Sequence, residues 1–185
     1  MKSLRYAVCG AAAVLTIMSA ASGQAFDYKL SVDQIAADPL TAYQTVYLGM
    51  PRADFDENFI TLPDWKFMET ADVHEEVAER STGSEYSDVT EGIRILSANT
   101  APDGKVLAFD NYFKTKDKKI AQSIYTRLVA TIYANMENFP QSQQKTTMVW
   151  VENDVTVVVS WTPQKDTQGY YTVTIHRYNN RVLHE

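Results

Sequence analysis

The sequence predicts an α+β domain: an antiparallel sheet of about five strands, a two-stranded hairpin plus a three-stranded meander, packed by one long helix and by short N-terminal helices. Three observations predict it. Ile120, Ile124, Leu128, Ile132 and Met136 recur every fourth residue, and Tyr125, Val129, Tyr133 and Phe139 widen that stripe to the breadth of a core-facing helix. Val155, Val157, Val159 and Trp161 alternate with polar residues, as do Tyr171, Val173 and Ile175, so one strand face is apolar and Thr156, Ser160, Thr172, Thr174 and His176 fall on the other. Residues 92–98 and 105–113 read as two further strands around 99–104, where Pro102, Asp103 and Gly104 favour a turn.

Taken in order, residues 1–25 read as a cleaved secretory signal. Lys2 and Arg5 form a basic start, residues 6–21 are an apolar run, and Ser22 to Ala25 supply small residues for signal peptidase. The run is short for a membrane span, which needs about 20 residues, so no stable membrane insertion is expected after cleavage. Cys9 lacks the Leu-x-Gly/Ala context of a lipobox, which sets a lipoprotein anchor aside. The chain is therefore expected to be exported, to the periplasm or the exterior, with residues 26–185 forming a single domain. That portion carries no cysteine and does not need one, because about 160 residues bury close to 70% of their unfolded surface. Without Lys2 and Arg5 it has 15 basic and 23 acidic residues, a net charge of −8. Such a balance argues against nucleic acid and against anionic lipid surfaces, both of which are bound through clustered Lys and Arg.

Ser31 and Gln34 have capping-box spacing, so a short helix is expected over 32–38, ended by Pro39. Residues 42–50 leave helix and strand unseparated, while Gly49 and Pro51 mark a boundary and Pro51 suits the first turn of a helix over 52–60. Phe55 and Phe59 share one face of that helix. Leu62 to Trp65 read as a turn, residues 71–80 as a short acidic helix pairing Glu76 with Arg80, and residues 81–88 as a loop. Asp117 is expected to cap the long helix and Pro140 to end it. Residues 145–152 and 155–162 flank Asn153-Asp154, which suits a tight hairpin. Helices, two strands, the long helix and three strands also suggest two halves, each a helix followed by a meander.

The run Val46-Tyr47-Leu48-Gly49-Met50-Pro51-Arg52-Ala53-Asp54-Phe55 resembles the Gly-Met-Ser/Thr motif of the BamE (SmpA/OmlA) envelope lipoproteins and of the β-lactamase-inhibitor-like domains. The resemblance covers about 20 residues and differs in Pro51, where Ser or Thr is usual, and in the missing lipobox. It implies helices packed on an antiparallel sheet and a protein-binding role in the cell envelope.

Catalytic patterns are incomplete. His74-Glu75-Glu76 begins a zinc-binding His-Glu-x-x-His, but the fifth residue is Ala78. Asp54, Asp56 and Asn58 open like a calcium loop, which fails at Phe59 and Trp65. Ser142 and Lys145 match Ser-x-x-Lys without its companion motifs, and residues 26–185 hold no nucleophile elbow or glycine-rich phosphate loop. No metal or cofactor is expected. Trp161 suits a core, whereas Tyr170, Tyr178 and His176 alternate towards the polar face. The leading expectation is a non-enzymatic module binding an envelope protein partner through the polar sheet face, with Gly49, Met50, Tyr170, Tyr178 and His176 at its contact surface. Two other classes stand beside it: a hydrolase assembled from Asp54, Asp64, His74 and Glu75, and a small-ligand binder with a cavity beneath the long helix.

Overall fold

A computed structural model describes residues 26–60, 62, 64–82, 88–136 and 138–181, so the signal segment expected at 1–25 lies outside the described residues. Among these residues the strands join in one antiparallel sheet, eight strands rather than about five. In chain order the elements are α1 (Tyr28–Ala37), α2 (Arg52–Ile60), β1 (Lys66–Met68), β2 (Glu75–Ser81), β3 (Val89–Ser97), β4 (Val106–Thr115), α3 (Lys118–Asn135), β5 (Ser142–Gln144), β6 (Thr147–Glu152), β7 (Val155–Trp161) and β8 (Tyr171–Asn179). Strand order is β1-β2-β3-β4-β8-β7-β6-β5. Two four-stranded meanders, each preceded by a helix, thus join through their last strands, with Ala108 opposite Tyr178 and Thr115 opposite Tyr171.

The three strands absent from the expected count have separate causes. Strands β1 and β5 are three residues each, too short for alternation to show. Strand β2 was expected as an acidic helix. Its Glu76 and Arg80 do not pair with each other: both face the helix layer, where Arg52 binds Glu76 and Arg80 binds Glu91.

Cross-strand register fixes the two faces, because directly paired residues point the same way. Phe109, Phe113, Val173 and Ile175 face the helices, joined by Ile93 and Ile95 from β3 and by Trp150, Val157, Val159 and Trp161 from β6 and β7. Beneath α3, the side chains of Ala121, Ile124, Leu128 and Ile132 are buried against this surface. Tyr133 and Phe139, expected to widen the stripe, instead pack on each other in solvent, at 45% and 76% exposure. Phe55 and Phe59 of α2 fill a second cluster with Ala78, Ile93, Ile95 and Phe109.

Local signals set the helix ends. Asp117 caps α3 by accepting from the Lys119 and Ile120 amides, at 2.7 and 3.2 Å. Asp27, not Ser31, caps α1, which starts one turn earlier than expected and leaves the Ser31 hydroxyl to donate to the Glu91 carboxylate. Asn153 takes the left-handed conformation the β6–β7 turn requires, with φ +54°.

Polar groups also cross the helix–sheet boundary. Fully buried Glu91 accepts from Ser31, from the Tyr43 hydroxyl and from Arg80 Nε, the last at 2.7 Å. Asn111 Nδ2 donates to the Tyr43 oxygen at 3.3 Å, and its Oδ1 accepts from Arg177 Nη1 at 2.8 Å. Arg177 is itself fully buried, donates to the Pro39 carbonyl at 2.6 Å and lies over the Phe109 ring. Burial pushes its guanidinium down to about 9, so it stays charged at neutral pH.

Candidate functional site

The helices cover one face of the sheet, and the same register places a second set of side chains on the other. From β2 come Glu75, Val77 and Glu79; from β3, Gly92, Arg94 and Leu96; from β4, Ala108, Asp110, Tyr112 and Lys114; and from β8, Thr172, Thr174, His176 and Tyr178. The face continues through Thr156, Val158 and Ser160 of β7 and Thr147, Val149 and Val151 of β6. No described helix packs on it.

Its charged half is preorganised. Asp110, 3% exposed, accepts from Arg94 Nε at 3.0 Å and binds His176 Nδ1 on its other oxygen. Burial alone would raise the Asp110 carboxyl, but the hydrogen bonds and charges of His176 and Arg94 outweigh it and hold the group below its ordinary value. Glu79 accepts from the Tyr112 hydroxyl and from Lys114 Nζ at 3.0 Å. Burial and the Glu79 carboxylate together push the Tyr112 phenol up, so it remains a donor at physiological pH. These groups line a groove of about 390 Å³, floored by β2, β3, β4 and β8 and walled by Met68 and Glu69. Four carboxylates there, Glu69, Glu75, Glu79 and Asp110, face two cations, Arg94 and Lys114, leaving the groove acidic.

The residues singled out from the sequence separate in space. His176 and Tyr178 lie together on this face, ring centroids 5.2 Å apart. Tyr170 sits just before β8, with Lys116 Nζ 5.2 Å over its ring. Gly49 and Met50 belong to the other side. Met50 is buried in the α2 cluster, and this corner is bonded to β4 through the Gly49 amide and the Val106 oxygen, and through the Val106 amide and the Met50 oxygen. The left-handed φ of Gly49, +85°, accounts for glycine there. Of the groups considered for a dispersed catalytic site, Glu75 lines the acidic groove, Asp64 lines a different pocket with Lys66 and Arg80, and Asp54 is exposed on α2. Among the described residues no group of three or more His, Cys, Asp or Glu is placed to hold a metal ion.

Sequence reasoning missed Glu79, Arg94, Asp110 and Tyr112. Asp110 and Tyr112 alternate with Phe109 and Phe113 along β4, a period-two signal that was available; that they meet Arg94 and His176 depends on the pairing of β3, β4 and β8. No described helix is long and apolar enough to cross a membrane. No protein-family model, no curated protein and no solved structure matches the chain.

Proposed function

We propose that this is an exported, non-enzymatic protein-binding module whose uncovered sheet face is the contact surface. The single observation behind this reading is an eight-stranded sheet with one face buried under helices and the other covered by none of the described helices. Eight strands at about 4.8 Å spacing span roughly 34 Å, and with central strands of roughly 25–30 Å the face approaches the ~800 Å² that each partner buries in a standard protein interface.

The bare face is divided. One half is the acidic groove; the other, over β6 and β7, presents Thr147, Val149, Val151, Thr156, Val158 and Ser160 and no charge at all. A partner fitting both halves brings a lysine or arginine to the groove and uncharged β-branched or aromatic surface to the strip. The aliphatic stem of that basic residue would lie along Met68 and Val77 while its head meets Glu69 and Glu75. Tyr178 and His176 sit between the two halves, as an amphipathic anchor requires. Envelope location rests on the basic and apolar start of the chain.

Residues 26–185, immobilised, should retain a partner from an envelope extract. Retention should be lost with Val158→Arg, weakened at least tenfold with Glu75→Lys, and unchanged with Lys118→Glu on the helix side. Retention indifferent to both face substitutions, or none at all, counts against the proposal. Fusing residues 1–25 to a reporter enzyme active only outside the cytoplasm tests export, and an inactive fusion refutes it.

A further inference from the structure

Another pocket lies on the opposite side of the sheet, among α1, α2 and the edge of β2. Its volume is about 280 Å³, below the 300–1,000 Å³ common for drug-sized ligands, so it suits one small unit. Three rings form one wall. Tyr43, Phe59 and Trp65 meet edge to face, with centroid separations of 4.9 Å for Phe59–Trp65, 5.9 Å for Tyr43–Trp65 and 6.2 Å for Tyr43–Phe59.

Neutral polar groups line the remainder. Gln34 projects from α1, Asn58 from α2 and Thr45 from the turn between them, and none of these three side chains hydrogen-bonds to another described residue. Among the described residues nothing competes with a ligand for their donors and acceptors. Among the described lining residues Arg80 carries the one permanent charge, and fully buried Glu91 already balances it. The guanidinium is held over Trp65 and Phe26, 4.6 and 4.3 Å from the ring centroids.

The wall is also held rigidly. Tyr43 and Gln44 both adopt left-handed backbone conformations, φ +54° and +62°, within a turn closed by reciprocal hydrogen bonds between Ala42 and Val46. A bulky residue in that region is strained and persists only where its surroundings fix it. Here the Tyr43 hydroxyl donates to Glu91 and accepts from Asn111, which anchors the ring from below.

We infer that this pocket binds one neutral sugar unit of an uncharged glycan. Aromatic rings beside amide and hydroxyl groups, with no unbalanced charge, match a pyranose, which has apolar C–H faces and a rim of hydroxyls. A phosphorylated or carboxylated ligand would need a free cation, and a purely apolar one would make no use of the amides and hydroxyl of Gln34, Asn58 and Thr45. The site is remote from the uncovered sheet face, so the two proposals stand or fall separately.

The test is an NMR titration of residues 26–185 with glucose, galactose, mannose and N-acetylglucosamine, following the Trp65 indole N–H, assigned by its loss in Trp65→Phe. At least one sugar should shift that resonance saturably at millimolar concentration, and Asn58→Ala and Gln34→Ala should each weaken binding about fivefold or more with the fold retained. N-acetylphenylalaninamide is titrated in parallel. If it shifts Trp65 and no sugar does, the pocket takes a partner's side chain and the inference is wrong. If neither moves the resonance up to about 100 mM, it is wrong as well.

Discussion

The Tyr112 ring occupies the space that a side chain on Gly92 would need. The two residues are directly paired across β3 and β4, and a methyl group at Gly92 would lie 2.0 Å from Tyr112 Cζ. Gly92→Ala must therefore displace the ring and break its hydrogen bond to Glu79. Overpacking of this kind costs about 1–3 kcal/mol, readable by urea denaturation. Adding Tyr112→Ala removes the clash, so the double variant should be less destabilised than the sum of the singles. Strict additivity would show that the ring does not depend on the bare α-carbon.

That pairing illustrates what the sequence holds and what it withholds. Helix α3 and the β6–β7–β8 meander were legible because one physical cause, burial of a single face, writes a simple period into the chain. Strand β2 was not, since Glu76 and Arg80 point inward to Arg52 and Glu91, so charge appears where alternation would demand an apolar residue. Ser31 misled in the same way: its hydroxyl serves a carboxylate 60 residues away instead of its own helix end. Part of the candidate face was legible as Thr156, Ser160, Thr172, Thr174 and His176. Its acidic groups meet their partners only through the register among β2, β3, β4 and β8, a property of the assembled sheet.

Arg177 is held in the core by neutral groups, the Pro39 and Asn111 oxygens, and among the described residues no carboxylate pairs with it. Arg177→Ala leaves both acceptors without a donor and opens a cavity over Phe109, which should cost about 3–5 kcal/mol. Arg177→Met retains the stem and removes the buried charge, so it should cost less than the alanine variant. Equal losses in thermal or chemical melts would mean that the hydrogen bonds, not the filled volume, dominate.

The α3 stripe is narrower than its sequence suggested. Leu128→Ala should cost about 2–5 kcal/mol, because Leu128 is fully buried beneath the helix, and Leu128→Asp should abolish cooperative melting. Tyr133→Ala should stay within about 0.5 kcal/mol, since Tyr133 is half exposed and touches the still more exposed Phe139. Comparable losses at positions 128 and 133 would restore the wider stripe.

Acid should dismantle the groove through Asp110. Its folded carboxyl lies below its ordinary value because His176 and Arg94 favour the charged form. A depressed carboxylate contributes stability that is present in full above the unfolded value, near 3.9, and lost as pH falls through the folded one. Wild-type stability should therefore drop more steeply than that of Asp110→Asn below about pH 4, while at neutral pH the variant is the less stable, having lost the ionic partner of Arg94 and the carboxylate that binds His176. Paired denaturation curves from pH 7 to pH 2 measure this difference directly. Parallel pH profiles for the two proteins would place the acid sensitivity elsewhere, and would mean that Asp110 holds Arg94 and His176 through geometry with little contribution from its charge.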